Sequence, residues 1–365
     1  MNHQMNQQIT VPMQATHILG IDISKDKFDV CLRPATQEGQ CHAAMFPNHA
    51  KGFKALDAWL VQHPAIHLHA CLEATSRYGD ALALDLHRHG HTVSVVNPRR
   101  TRHYADSRLV RTQNDTVDAA LIADFCASQN PRPWQPVTKG KRQLQDLVRT
   151  RGFFLNQKKQ CLNRLETADP VSTQHLRQHV RQLDTTIGRI EKQITDLLQT
   201  QPDLARQVEL AQSIPGVGAL TAAVAVAELP PMERLEHAGQ AVAFAGLDPR
   251  RKTSGSSVAT APRLSKMGSR LLRQTLYMGA LSALRYNPII KALGERLKAK
   301  GKGGKRAVAA AMRKMVRLIY GVLKHGQAFD PNWGNRDRTP GLSGRASDGD
   351  GLPSSQLASP SVATA

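Results

Sequence analysis

Four carboxylates and one serine in this sequence have the types and surroundings to do phosphoryl chemistry. Asp22 stands in GIDIS, Glu73 in CLEAT, and Asp115 with Asp118 in NDTVDAA. A spacing of three puts Asp115 and Asp118 on one face of a helix. Four carboxylates gathered at one crevice would repel one another unless a hard cation joined them. Mg²⁺ takes oxygen ligands, and a pair of such ions can clamp both oxygens of a phosphoryl transfer. A plainer reading stays open: acidic residues at a helix start are favoured by capping and by the macrodipole.

The serine is Ser254, in RRKTSGSSVATAPRLSKMG. A serine hydroxyl is a poor nucleophile until its proton is taken or polarised, and no histidine lies nearby in sequence. Its basic neighbours Arg250, Arg251, Lys252, Arg263, Lys266 and Arg270 can hold a phosphodiester and stabilise developing charge. Three readings compete for this segment: a flexible linker, a phosphate-binding loop and the home of a nucleophile.

These residues must be positioned by structure. HILGIDISKDKFDVCLR (17–33) reads as strand, tight turn and strand,. A helix over 51–63, a strand over 67–75, a helix over 78–90 and a strand over 92–98 follow. The strand over 92–98 is ended by Pro98. DTVDAALIADFCAS (115–128) is an amphipathic helix. Strands alternating with helices predict an α/β sheet covered on its faces. Strand ends and helix starts can then converge at one crevice. The order Asp on strand one, Glu on a later strand and an Asp pair on a following helix resembles the RNase H fold as used by RuvC-type nucleases.

After the proline-rich NPRPWQP (130–136) the character changes. Leu176, Val180, Leu183, Ile187, Ile190, Ile194 and Leu197 recur at spacings of three and four, a coiled-coil-like seam,. Pro170 separates two helices, which form an antiparallel hairpin or a dimer element. In SIPGVG, Gly216 and Gly218 permit a tight turn that leaves backbone N–H groups free at a helix start. This resembles a helix-hairpin-helix, which grips the nucleic-acid backbone without reading sequence. The alternative is an ordinary corner between two helices.

Composition narrows the partners. The 365 residues carry a formal net charge of +20 and a pI near 10.2, which predicts a polyanion. Aromatics are 4% of the chain, too few for base stacking to dominate. There is no apolar run long enough to span a bilayer and no signal peptide, so a cytoplasmic, nucleoid-associated protein with no membrane partner is expected. Five cysteines without a CxxC pair read as reduced thiols,. Lys302, Lys305 and Arg306 begin a basic helical segment (298–326) suited to phosphates.

With these features in order, the chain resembles the transposases of insertion-sequence family 110, the DEDD transposases known as bridge-RNA-guided recombinases. The resemblance spans about 17–330. It rests on GIDISKDKFDV, CLEATSRY, VSVVNP, QNDTVDAALIADF, SIPGVG, FAGLDPRRKTSGSS, RLSKMGSRLLRQTLYM and GKRAVAAAMRKMVRLIYGVLK. Ser76 departs from the family's usual Gly, and Gln113 and Asn114 stand where a basic residue is usual.

The resemblance implies that Asp22, Glu73, Asp115 and Asp118 bind Mg²⁺ and that Ser254 is the nucleophile. It implies that donor and target DNA are cut and rejoined through a serine-phosphate intermediate, guided by a structured RNA. It also implies a homodimer assembling to a homotetramer, with carboxylates and serine supplied by different protomers. The chain divides into a RuvC-like domain (17–136), a coiled-coil region (137–203) and a helical transposase domain (204–330), flanked by a polar start (1–16) and a Gly-, Ser- and Pro-rich tail (331–365) that lack a family counterpart and are expected to be disordered,. A metal-dependent nuclease or junction resolvase using activated water is the alternative activity, and a non-enzymatic nucleic-acid-binding module a third reading.

Overall fold

The computed structural model describes residues 15–36, 41–63, 67–74, 77–109, 115–250, 253–254, 258–259 and 263–332. The readings made for 1–14, Ser76, Gln113, Asn114, Arg251, Lys252 and the tail beyond 332 lie outside them. The chain divides into two compact units, 1–137 and 138–365.

The first unit is a mixed sheet of β1 (His17–Ile23), β2 (Lys27–Pro34), β3 (His42–Pro47), β4 (Leu68–Glu73) and β5 (Thr92–Val96), in the order β3-β2-β1-β4-β5. The β1–β2 and β2–β3 pairs are antiparallel, and the β1–β4 and β4–β5 pairs are parallel. Helices α1 (Ala50–Gln62), α2 (Asp80–Arg88), α3 (Pro98–Ser107) and α4 (Asp115–Gln129) complete it. Strand alternation divides the core into two layers. Leu19, Ile21, Leu68, Ala70 and Leu72 bury with Leu56 and Leu60 of α1 and Leu82 and Leu86 of α2. Ile18 and Cys71 bury on the opposite face with Ile122, Ala123 and Phe125 of α4.

Two elements depart from the sequence reading. β3 is an additional edge strand, largely exposed. Pro98 does more than end a strand: it opens α3, with the Asn97 side chain capping by accepting from the Arg99 backbone N–H at 2.9 Å,. The expectation of five reduced thiols is also corrected, because Cys31 and Cys41 form a disulfide. The β2–β3 pairing sets Cys31 opposite Ala43, which brings Cys41 within reach,.

The second unit is largely helical. It comprises α5 (Lys139–Leu165), α6 (Pro170–Gln199), α7 (Pro202–Gln212), α8 (Ala219–Glu228), α9 (Ala238–Phe244), α10 (Arg270–Tyr286), α11 (Pro288–Ala299) and α12 (Lys305–His325). Between α9 and α10 lie four two-residue strands: β6 (Pro249–Arg250), β7 (Thr253–Ser254), β8 (Val258–Ala259) and β9 (Arg263–Leu264). α5 and α6 form an antiparallel hairpin within the chain, cross-linked by Arg151–Glu191 and Lys158–Asp184 ion pairs. Leu183, Ile187, Ile190 and Ile194 of the seam are buried. Ile190 and Ile194 join the core of the unit with Ile214, Leu276, Met315 and Ile319. Among the described residues no helix is long and apolar enough to cross a membrane.

Candidate active site: a carboxylate cleft and a serine hairpin

β1 and β4 are parallel neighbours in the register Ile21↔Leu72, so Asp22 and Glu73 end adjacent strands side by side. Alternation turns both toward the face that α4 covers, the face of Ile18 and Cys71,. α4 approaches this closely because residue 20 is glycine. A Cβ at Gly20 would lie 2.2 Å from the Ala119 carbonyl oxygen and 2.3 Å from the Ala123 nitrogen. The first turn of α4, with Asp115 and Asp118, is thereby brought to the strand ends.

A cleft of about 360 Å³ opens there, lined by Asp22, Glu73 and Asp118 and by Arg99, Thr101, Arg102 and Asp106 of α3. Burial, then the charges of Asp118, Asp115, Glu73 and Asp29, push the Asp22 carboxyl up to about 6. Burial, then Asp115, also raises Asp118. Asp115 stands at the rim, outside the cleft lining, and is gripped by Lys27, whose Nζ lies 2.7 Å from its Oδ2 and 3.1 Å from Asp29 Oδ2. The buried Thr101 hydroxyl contacts Glu73 Oε1 and lies 2.9 Å from the Pro98 carbonyl. The candidate ligand set is all oxygen, and its negative charges raise the carboxyls of Asp22 and Asp118, which suits a hard divalent cation.

Sequence reading brought forward Asp22, Glu73 and Asp118. It missed Lys27, Arg99, Thr101, Arg102 and Asp106. The available signal for the α3 residues was Asn97-Pro98, a helix-start pair,. Elsewhere in the unit Asp57, Asp85 and His89 cluster, with His89 Nδ1 at 3.8 and 3.7 Å from the two carboxylates.

In the second unit the serine segment is a two-rung hairpin, not the linker its composition suggests. The outer rung pairs Pro249 with Leu264 and Arg250 with Arg263. The inner rung pairs Thr253 with Ala259 and Ser254 with Val258. Its root is fastened to the helices on either side. Ser265 N–H donates to the Asp248 carbonyl at 2.9 Å, Lys266 N–H to Gly246 at 3.1 Å, and Ser269 N–H to Phe244 at 3.0 Å. Arg273 Nη1 donates to the carbonyls of Ala245 and Gly268 at 2.9 and 3.0 Å. Below it, the buried Glu228 accepts from Arg149 at 2.7 Å and from Ser269, the α10 cap, at 2.8 Å. Arg250, Arg263, Lys266 and Arg270 are exposed around this root.

The two glycines of SIPGVG differ. Gly216 has φ +98°, and a Cβ there would lie 2.7 Å from Ala283 Cβ and 2.8 Å from the Gly279 carbonyl of α10. Its glycine is required by the corner and by helix packing. Gly218 is the N-cap residue of α8, in extended conformation, with open space about it and no side chain capping the helix. Lys302, Lys305 and Arg306 are exposed at the start of α12.

Comparisons with known proteins agree across both units. A family model described as Transposase IS116/IS110/IS902 family matches residues 208–295, and a DEDD model described as Transposase matches 19–168. The pilin gene-inverting protein of Moraxella bovis is 31% identical over 322 residues, covering 87% of this chain and 98% of that protein. The transposase for insertion sequence element IS1111A of Coxiella burnetii is 24% identical, covering 87% of this chain and 92% of that protein. The solved structure of T. thermophilus RuvC in complex with Holliday junction substrate aligns with 33% of this chain and 99% of that chain, at 11% identity and a TM-score of 0.26.

Proposed function

We propose that this chain, which belongs to the IS116/IS110/IS902 family of transposases, cuts and rejoins DNA with Ser254 as nucleophile and a divalent-metal site of Asp22, Glu73, Asp118 and Asp115. That it is a transposase acting on DNA follows from the family. The chemistry is our reading. The observation that carries it is the convergence of Asp22, Glu73 and Asp118 in one cleft. The sheet order, three antiparallel strands continued by two parallel ones, supports an RNase H-like reading of the first unit.

In this mechanism the Ser254 hydroxyl attacks a DNA phosphodiester. A serine Oγ–P bond forms, a P–O bond of the strand breaks, and the leaving oxygen takes up a proton. Attack on the serine phosphate by a hydroxyl from a second strand end then reseals DNA and frees the serine. A bound divalent ion, Mg²⁺ in our reading, would supply charge neutralisation at the phosphate and polarisation of the attacking or leaving oxygen. Thr101 holds Glu73 in place, and Lys27 holds Asp115. Arg250, Arg263, Lys266 and Arg270, with Arg251 and Lys252, stabilise charge on the phosphate bonded to Ser254. Rejoining is supported by the likeness to a pilin gene-inverting protein, since inversion of a gene needs both breakage and joining.

Sequence choice is delegated to a structured guide RNA that pairs with donor and target DNA. The second unit grips nucleic-acid backbone through Gly218 beside Gly216 and through Lys302, Lys305 and Arg306. The α5–α6 region serves as the dimer element of a cytoplasmic protein that works as a homotetramer, one protomer's carboxylates meeting another's serine. The regional division read from the sequence belongs to the same proposal.

Mapping the ends of reaction products tests the activity. Joined donor–target strands are expected with Mg²⁺. Hydrolysed ends alone, with no joined product, would make the protein a nuclease that activates water.

A further inference from the structure

The cleft has a second wall whose chemistry the carboxylates do not account for. Six residues of α3 line it: Pro98, Arg99, Thr101, Arg102, Ala105 and Asp106. Arg99, Arg102 and Asp106 follow spacings of three and four and so share one helix face. The arginines around α3 fall into two kinds. Arg100 lies 5.2 Å from the centre of the Phe125 ring, and Arg108 lies 6.0 Å from that of Tyr104. Both are occupied by stacking. Arg99 and Arg102 are exposed, line the cleft, and make no ion pair with an acidic group among the described residues. Two guanidiniums thus face a cluster of carboxylates without neutralising it. An anion entering together with a cation held by the carboxylates would answer both sides. A phosphodiester offers two non-bridging oxygens, one for a carboxylate-held cation and one for a guanidinium, which donates in a fixed fork.

We propose that Arg99 and Arg102 grip the phosphodiester of the DNA strand that enters the carboxylate cleft, so that α3 is the phosphate-positioning wall of the metal site. This rests on the metal-site reading above. Thr101, between them in sequence and turned inward to Glu73, ties the two walls together.

The test uses the full chain, Ca²⁺ as a cation that binds oxygen ligands, and a fluorescent single-stranded DNA oligonucleotide. DNA affinity is measured with and without Ca²⁺, and Ca²⁺ binding alone by calorimetry. For the parent chain, Ca²⁺ should tighten DNA binding. In R99Q/R102Q most of that tightening should vanish, a loss of about tenfold or more as charged hydrogen bonds to the phosphate are removed. Ca²⁺ binding in the absence of DNA should stay within about twofold of the parent. R99K/R102K should regain part of the tightening, since lysine restores the charge but not the fork. Full tightening in R99Q/R102Q overturns this inference and leaves the metal site standing. A matching loss of Ca²⁺ affinity without DNA also overturns it, because the arginines would then shape the carboxylates and not the strand. A parent chain that binds no Ca²⁺, Mg²⁺ or Mn²⁺ overturns the metal-site reading and this inference with it.

Discussion

The carboxylates of the cleft stand on elements locked by buried packing, whereas Ser254 stands on a hairpin locked at its root. Asp22 and Glu73 stand near the ends of strands whose central residues are core, and Asp118 rides on a helix pressed against Gly20. Ser254 sits on the inner rung of two-residue strands, beyond a root held by backbone hydrogen bonds and by Arg273. The difference predicts how each half of the proposed chemistry fails. An error under the cleft should cost fold stability as well as activity. An error at the hairpin root should cost activity first.

The sharpest way to break this comparison is to remove the chemistry and keep the scaffold. D118N should lower strand joining by about 10³-fold, the scale seen when a group that stabilises transition-state charge is lost, and S254A by about 10³-fold or more, because the covalent route loses its nucleophile. Both should keep DNA affinity near the parent in a filter-binding or anisotropy assay. If either variant joins strands at a rate within tenfold of the parent, that residue leaves the mechanism.

Adding one methyl group sharpens the contrast in position. Gly20→Ala puts a Cβ against the α4 backbone and should destabilise the chain by about 2–3 kcal/mol, an overpacking cost, read as a lowered melting temperature. Gly268→Ala puts a Cβ 2.1 Å from the Phe244 carbonyl at the hairpin root. It should displace the hairpin, slow joining by about tenfold and lower the melting temperature less than Gly20→Ala. Equal melting losses would remove the distinction.

The basic surface of α12 gives a smaller effect. Replacing Lys302, Lys305 and Arg306 together should weaken nucleic-acid binding and flatten its logarithmic salt dependence by about 2–3, close to one per phosphate contact. An unchanged slope takes these residues out of the interface.

The smallest effect is electrostatic. Asp22 titrates at about 6 in the folded chain, above the ordinary range of an aspartate,. The folded state therefore holds this proton longer than the unfolded one, and stability falls as pH rises from about 4 to 6. Without divalent cations D22N should be more stable than the parent at pH 7.5, by on the order of 1 kcal/mol after discounting for a half-exposed group. The gain should fade as pH drops toward about 4. A D22N variant less stable than its parent at pH 7.5 would contradict the repulsion described for the cleft.

Much of this layout is legible in the residues. Strand alternation in HILGIDI and KFDVCLR, and the seam from Leu183 to Ile194, are periodic signals that packing then uses,. Gly216 is readable as a corner because only glycine accepts its φ cheaply. β3 is hard to see because HAAMFP is mostly exposed and lacks β-branched residues,. α3 is hard to see because PRRTRHYADS is polar throughout and buries only Thr101. Its cap, Asn97-Pro98, is easily taken for the end of a strand. The cleft residues missed in the sequence lie mainly on this helix, and Lys27 became visible only through its distant partner Asp115.

The measurement that tests the central claim most directly is the trapping of protein on DNA. The full chain is incubated with Mg²⁺, guide RNA and donor and target DNA, denatured, and the adduct is digested and mapped by mass spectrometry. A nucleotide phosphate bonded to the peptide containing Ser254, absent in S254A and in D22N, is the predicted result. An equal adduct in S254A, or joined DNA with no protein–DNA adduct at any time point, would contradict it.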